Sequence, residues 1–233
     1  MREAGVAPGD HVVDIGAGTG VITSALADVG ATVTALEADP ALATVLERRF
    51  DGRAVTVVRG DAMRWAWPAE PFSVVSNLPF TGSGAILRGL LRDPRCGLAH
   101  AHVIVQWEFA EKHAAVWPTT MRSAYWRAWF DVGIAARLAR SVFSPVPRVD
   151  AAVLRIARRD RPLVALAEHD AYRRFLERAF EAQAPLARAL RGRVTARELR
   201  RLGPVLGFDP GALPRDLDAR QWAFLFGFAG NRG

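Results

Sequence analysis

One cysteine, Cys96, stands in 233 residues. No intrachain disulfide can form and no cysteine-based zinc site has its ligands. A reducing compartment, the cytoplasm, is the expected setting. Lysine is nearly absent as well, with Lys112 the one example. No uninterrupted apolar run reaches the ~18 residues that a membrane span needs. The opening Met1-Arg2-Glu3-Ala4-Gly5 has no signal-peptide core. A membrane is therefore not an expected partner.

Hydrophobic residues make up 50% of the sequence. That suffices for a full core and excludes a disordered tail. The length allows one large domain or one with a smaller companion. The net charge of +7 is carried almost wholly by arginine. Arginine makes bidentate contacts to phosphate and stacks on bases, so nucleic acid is the leading partner class. A GC-rich coding sequence explains arginine in place of lysine, but not the excess of basic over acidic residues.

The most informative stretch is Asp14-Ile15-Gly16-Ala17-Gly18-Thr19-Gly20. The β-branched run His11-Val12-Val13 before it reads as a buried strand, and Val21 to Ala27 after it as a helix. A strand that turns through glycines into a helix lets backbone approach a ligand closely and offers unpaired N–H groups. The dinucleotide fingerprint is G-x-G-x-x-G; here the third glycine comes one residue early, at Gly20. Asp14 would repel a pyrophosphate but suits a cation. S-adenosylmethionine carries a sulfonium and an ammonium and no phosphate, so the spacing favours a methyl donor over NAD. A strand-turn-helix without a ligand is the plainer alternative.

Strands and helical stretches then alternate. Ala31 to Leu36 is a second strand ending at Glu37-Ala38. An acid about 20 residues past the loop is placed to accept from a ribose diol. Asp39 and Pro40 open a helix over Ala41 to Phe50. Val55 to Val58 is a third strand leading to Gly60-Asp61-Ala62, where the Asp61 carboxylate is placed to accept from an exocyclic adenine amine. Phe72 to Ser76 is a fourth strand, delivering Asn77-Leu78-Pro79-Phe80 to the same sheet edge. A helix over Gly82 to Leu91 and a strand over His102 to Val105 follow, and then a helix reaching Ala114. The stretch from Val116 to Trp129 is irregular in pattern, and Ala135–Val142 and Ala151–Ile156 read as the last two of seven strands. The expected fold is α/β, a doubly wound, mostly parallel Rossmann-like sheet, with ligands at the carboxyl ends of its strands. Arg158-Arg159-Asp160-Arg161-Pro162 marks a break. A methyltransferase domain over 1–160 and a small helical accessory, RNA-binding domain over 161–233 are expected. In the latter, Asp170 to Ala184 is an amphipathic helix, and Thr195 with Glu198 forms a capping box. Trp222, Leu225 and Phe226 are read as core.

Asn77-Leu78-Pro79-Phe80 joins an amide, a proline-fixed backbone and an aromatic ring. That combination suits methylation of a planar exocyclic amine. The lone pair of adenine N6 is delocalised into its ring and attacks poorly. The Asn77 side-chain oxygen and a backbone carbonyl, of Leu78 or Pro79, can each bind one N6 hydrogen and aim the lone pair at the methyl group. Positioning and oriented dipoles do this work. No strong base is needed, because the proton becomes acidic once the methyl transfers. Phe80 would stack on the flipped base. An Asx-type turn with Phe80 in the core is the alternative.

Together with Phe143-Ser144-Pro145-Val146-Pro147-Arg148-Val149-Asp150, these motifs resemble those of the ribosomal RNA adenine-N6 methyltransferases. That family comprises the Erm macrolide-resistance enzymes acting on 23S rRNA and the KsgA-type dimethylases of small-subunit rRNA. The resemblance runs from Val12 to Phe228 and is strongest before Ile156. It implies S-adenosylmethionine as cofactor, held by Asp14, Gly16, Ala17, Gly18, Gly20, Glu37, Ala38, Asp61, Ala62 and Asn77. It implies catalytic positions at Asn77, Leu78, Pro79, Phe80 and Phe143, the last on the far face of the target adenine. Phe80 stands where the small-subunit enzymes usually have tyrosine, and the Trp117–Trp129 stretch lacks their Y-G-x-L-S type segment. The Erm branch is therefore expected, with protein-free or partly assembled 23S rRNA as partner and resistance to macrolides, lincosamides and streptogramin B as outcome. The chain is expected to act as a monomer. Members usually carry a Q-N-F-L-type segment ahead of the glycine loop. This sequence does not include it, and weaker donor binding than in members that keep it is expected.

Rival readings are a small-subunit dimethylase, a DNA or tRNA adenine methyltransferase, a protein-glutamine methyltransferase, and a non-catalytic RNA-binding relative. The basic charge and helical tail argue against a protein substrate. Candidate RNA contacts, salt-sensitive by nature, are Arg88, Arg92 and Arg95, then Arg137, Arg140 and Arg148, then Arg188, Arg191 and Arg193.

Overall fold

The computed structural model describes residues 4–143, 146 and 148–230. The chain divides into two compact units, 1–114 with 132–158, and 115–131 with 159–233. The division expected at residue 160 differs from this at two places: residues 115–131, and residues 159–160 at the boundary, group with the helical unit.

The first unit is built on a seven-stranded sheet in the order β3-β2-β1-β4-β5-β7-β6. Its strands are β1 (His11–Ile15), β2 (Thr32–Glu37), β3 (Val55–Arg59), β4 (Phe72–Asn77), β5 (Leu98–Gln106), β6 (Phe130–Leu138) and β7 (Ala151–Arg158). β3, β2, β1, β4 and β5 pair in parallel, and β5 pairs with β7 antiparallel. This is the doubly wound, mostly parallel sheet that the sequence predicts. Val12, Val13, Val33, Ala35, Val74, Ala101 and Val103 are wholly buried, as strands covered on both faces require. Crossovers run through α1 (Val21–Val29), α2 (Pro40–Arg49) and α3 (Ser83–Leu90), and α4 (Trp107–Ala114) follows β5. Asp39 caps α2 as expected, accepting from the Ala41 N–H at 2.7 Å, with Pro40 in the first turn. Arg158 closes the far end of β7. Its guanidinium donates to the carbonyls of Leu98, Pro94 and Cys96 at 2.7, 2.9 and 2.6 Å.

The expected strand over 135–142 needs correction. β6 begins at Phe130, and Arg140–Val142 is a short 3-10 turn. Within the second unit, the stretch read as irregular contains α5 (Met121–Trp126), capped reciprocally by Thr120 and Ser123. This unit also holds α6 (His169–Glu181), α7 (Leu186–Ala189), α8 (Ala196–Leu206) and α9 (Ala219–Gly230). The Thr195–Glu198 capping box opens α8. Trp129, Tyr172 and Trp222 are fully buried, and Tyr172 meets Phe226 edge-on at 5.2 Å. The aromatics are core, as expected of Trp222. Among the described residues no helix is long and apolar enough to cross a membrane.

Candidate active site

The glycine loop is fixed from three sides. The N–H groups of Gly16 and Ala17 both donate to the Leu36 carbonyl, at 2.7 and 3.2 Å. Glu37, the last residue of β2, accepts the Gly18 N–H on one carboxylate oxygen and the Asp39 N–H on the other, each at 2.8 Å. Gly20 has a left-handed backbone (φ 81°), and a Cβ there would lie 2.7 Å from the Phe50 ring and 2.8 Å from Leu46. Gly20 is thus explained by loop geometry and by the close approach of Leu46 and Phe50. Ala17 packs into the same cluster with Ala35, Leu46 and Phe50.

Asp14, expected beside the donor, turns inward. It is 1% exposed and accepts from the Thr23 hydroxyl at 2.7 Å. The Thr23 N–H and the Ser76 hydroxyl also reach it. Gly20 offers α1 no side-chain cap, so Asp14 satisfies that helix end from across the loop. Burial pushes its carboxyl up to about 6, against the lowering effect of these hydrogen bonds. Ser76 in turn accepts the Ile15 N–H at 2.6 Å. One serine of β4 therefore ties together the residues on which the glycine loop starts.

A hollow of about 540 Å³ opens at the carboxyl ends of β1, β2, β3 and β4. That size is ordinary for a small-molecule site, about 300–1,000 Å³. Gly16, Glu37, Ala38, Asp61 and Ala62 line one part of it, and Asn77, Leu78, Pro79 and Phe80 another. Nine positions expected from the sequence thus converge. Asp14, Ala17, Gly18, Gly20 and Phe143 are not in its lining. Phe143 follows the 3-10 turn Arg140–Val142, and the expected motif continues through Ser144, Pro145 and Pro147, which lie outside the described residues. The sequence reading missed Leu36, Met63 and Ile86, which supply apolar wall. Their one signal is position, each next to or a few residues from a recognised motif.

Asp61 accepts the Met63 N–H at 2.9 Å, an Asx turn that sets the carboxylate at the end of β3. Asn77 ends β4 and its carboxamide has no hydrogen-bond partner among the described residues. The two carbonyls offered as its companion now separate. Pro79 O accepts from the Gly82 N–H at 2.9 Å, the Ser83 N–H at 3.0 Å and the Ser83 hydroxyl at 2.9 Å, and so is occupied in starting α3. Leu78 donates its N–H to Ile104 O at 3.0 Å, while its carbonyl accepts no hydrogen bond among the described residues. Leu78 O and Asn77 Oδ1 are the free acceptor pair. Glu37 and Asp61 bring two carboxylates to the hollow, and among the described residues no basic side chain lines it. That donor set fits a cationic ligand with ribose and adenine groups, and opposes a pyrophosphate.

The family model for ribosomal RNA adenine dimethylase matches residues 1–198. The chain belongs to the ribosomal RNA adenine dimethylase family. Among relatives of this family, the mycinamicin-resistance protein MyrB of Micromonospora griseorubida is 39% identical over 220 residues, 92% of this chain and 68% of that protein. An rRNA adenine N-6-methyltransferase of Corynebacterium diphtheriae is 35% identical over 192 residues, 82% of this chain and 72% of that protein. The crystal structure of the 23S rRNA methyltransferase ErmE superposes with a TM-score of 0.83 at 28% identity, covering 98% of this chain and 94% of that one. These likenesses fall on the Erm side of the ribosomal RNA adenine dimethylase family, as the sequence motifs predict.

Of the expected RNA contacts in the first unit, Arg95 is paired with Asp93 and Arg137 with Asp150, each at 2.8 Å. Arg137 also lies over the Trp107 ring, 4.5 Å from its centroid. These pairings leave the two side chains less of their charge to offer a phosphate.

Proposed function

We propose that this chain transfers a methyl group from S-adenosylmethionine to N6 of an adenine in 23S rRNA. The outcome is resistance to macrolides, lincosamides and streptogramin B. One observation carries the reading: the Asn77 carboxamide and the Leu78 carbonyl, both without hydrogen-bond partners among the described residues, share a single hollow with Glu37 and Asp61. When bound, S-adenosylmethionine supplies an electrophilic methyl on a sulfonium. Glu37 would hold the ribose hydroxyls, since each carboxylate oxygen has a lone pair left after its one backbone N–H. Asp61 and Ala62 would hold the donor's adenine. Gly16 presents backbone without a side chain and would lie against the donor's methionine end.

Asn77 Oδ1 and Leu78 O each accept one N6 hydrogen of the target. Two acceptors on one amine fix its orientation and draw electron density back to nitrogen. Phe80 would stack on the base, and Leu36, Met63 and Ile86 give the hollow an apolar wall. The proton lost from nitrogen passes to solvent after transfer, so no residue with a tuned basic pKa is required. An rRNA substrate supports a cytoplasmic setting, and we infer that the chain acts as a monomer. The resemblance to Erm enzymes supports Phe143 as a second face for the flipped adenine.

The test offers protein-free large- and small-subunit rRNA with labelled donor and maps the modified base. Label on an N6 of the large-subunit RNA is the expected result. Label confined to small-subunit RNA favours the KsgA-type alternative, and label on neither overturns the activity.

A further inference from the structure

In the strand order, β2 and β3 lie to one side of β1, and β4 and β5 to the other. Such a reversal opens a crevice at the carboxyl ends of the two central strands. The register shows where it opens. β1 and β4 pair at Val12–Ser73 and Val13–Val74, and no further. Past that point β1 keeps step with β2 as far as Ile15–Leu36, and β4 with β5 as far as Asn77–Ile104. The Gly16 N–H continues the first pairing to Leu36 O at 2.7 Å, and the Leu78 N–H continues the second to Ile104 O at 3.0 Å. Each half of the proposed site is thus anchored to its outer neighbour.

Ser76 spans the gap between the halves. Its hydroxyl accepts the Ile15 N–H at 2.6 Å and donates its proton to the Asp14 carboxylate. Asp14 also accepts from the Thr23 hydroxyl at 2.7 Å and from the Thr23 N–H, in the first turn of α1. Hydrogen bonds therefore run from α1 through Asp14 to Ser76. Asn77, with the carboxamide of the proposed site, is the next residue of β4. Asp14, Ile15 and Ser76 are each 1% exposed, so water does not replace a lost partner there. A Cβ on Gly16 would lie 3.7 Å from Pro79 Cδ, a packing contact that limits how near the halves come. The Ser76 bonds limit how far they part.

We propose that Ser76 is a positioning residue for methyl transfer, setting the distance between the glycine loop and the Asn77 corner. The proposal rests on the activity proposed above and deepens it. Ser76 touches neither reactant. It acts through Asp14 and Ile15 on the donor side and through Asn77 on the target side. Transfer needs the reacting atoms about 3–3.5 Å apart and aligned, and a misplacement of about 1 Å can cost 100-fold. The donor's seat lies mainly in one half and the target's in the other, so binding of either one depends little on the spacing. The rate depends on it steeply.

The experiment compares the parent chain with Ser76→Ala, Ser76→Cys and Ser76→Thr. Single-turnover methyl transfer to protein-free large-subunit rRNA is read at saturating donor, and S-adenosylmethionine affinity by calorimetry. Ser76→Ala is expected to slow transfer roughly 10-fold to 100-fold while donor Kd stays within about threefold. Ser76→Thr keeps the hydroxyl and should restore most of the rate. Ser76→Cys keeps the volume with a weaker donor and should fall between, and it carries the comparison if the alanine variant does not fold. In an Asn77→Ala background the Ser76→Ala change should cost less than in the parent, because the two residues act as a unit. A serine that only fills its place in the core predicts a lower melting midpoint with the transfer rate of the folded protein unchanged, and that result overturns the proposal. So does a donor affinity that falls as far as the rate, a threonine variant no faster than alanine, or additive losses with Asn77→Ala. A parent chain that transfers no methyl to rRNA overturns the activity and the proposal with it, whereas an active parent matched by Ser76→Ala overturns the proposal alone.

Discussion

Glu37 holds Gly18. The carboxylate at the end of β2 accepts the loop N–H at 2.8 Å while its other oxygen accepts from Asp39. The same side chain lines the hollow. It thus shapes the glycine loop and faces the space where a ribose would lie.

Glu37→Ala removes both functions. Donor affinity is expected to fall about 10-fold to 100-fold, the range for losing charge-assisted hydrogen bonds worth ~1.5–3 kcal/mol. Glu37→Gln keeps one acceptor and should lose less. Titration calorimetry with S-adenosylmethionine measures both.

Asp14→Asn should stabilise the protein at neutral pH. Burial raises this carboxyl from 3.8 to about 6 in the folded chain. The folded state therefore keeps a proton between those pH values that the unfolded state has released. Stability from this group is full below 3.8 and is lost as pH rises through about 6. Asparagine keeps the shape and has no charge to bury, and the Thr23 and Ser76 hydroxyls can accept from it as well as donate. The melting temperature of Asp14→Asn minus that of the parent should be greatest at pH 7 and above. It should shrink toward pH 4, and the underlying gain in stability has an upper bound of about 3 kcal/mol. A difference that does not change with pH refutes the assignment.

Asn77→Ala should leave the fold and most donor affinity intact while lowering kcat by about 100-fold or more, the usual cost of losing one oriented dipole at a reacting centre. Single-turnover methyl transfer to rRNA reads this. Undiminished transfer would remove Asn77 from the chemistry.

Gly20→Ala should destabilise the chain by roughly 2–4 kcal/mol, from overpacking plus a left-handed backbone. The new Cβ meets Phe50 and Leu46 inside 3 Å. A shift in urea midpoint without a change in slope measures it.

The doubly wound sheet was legible in the sequence because each of its motifs couples a β-branched run to a turn of special residues. Asp14 to Gly20, Asp61 and Asn77 each announce a strand end, and parallel sheets collect strand ends on one edge. What Asp14 does there was not legible, since a carboxylate before a glycine loop reads alike whether it turns outward to a cation or inward to Thr23. The segment 115–131 was hidden by its own tryptophans. Trp126 and Trp129 are buried with Tyr125, and dense aromatic packing masks the helical period of α5. The choice between Leu78 O and Pro79 O needed coordinates, because only the fold shows which carbonyl the start of α3 has taken.

A Cβ placed on Gly16 would sit 3.7 Å from Pro79 Cδ. The glycine loop and the Asn77–Phe80 stretch, which we propose hold donor and target, therefore abut directly. An inhibitor that joins a donor mimic to an adenine mimic needs only a short, stiff tether. Such a tether raises the effective concentration of each half for its own seat, and a single amino-acid change that evicts one half also disturbs the enzyme's grip on its own reactants.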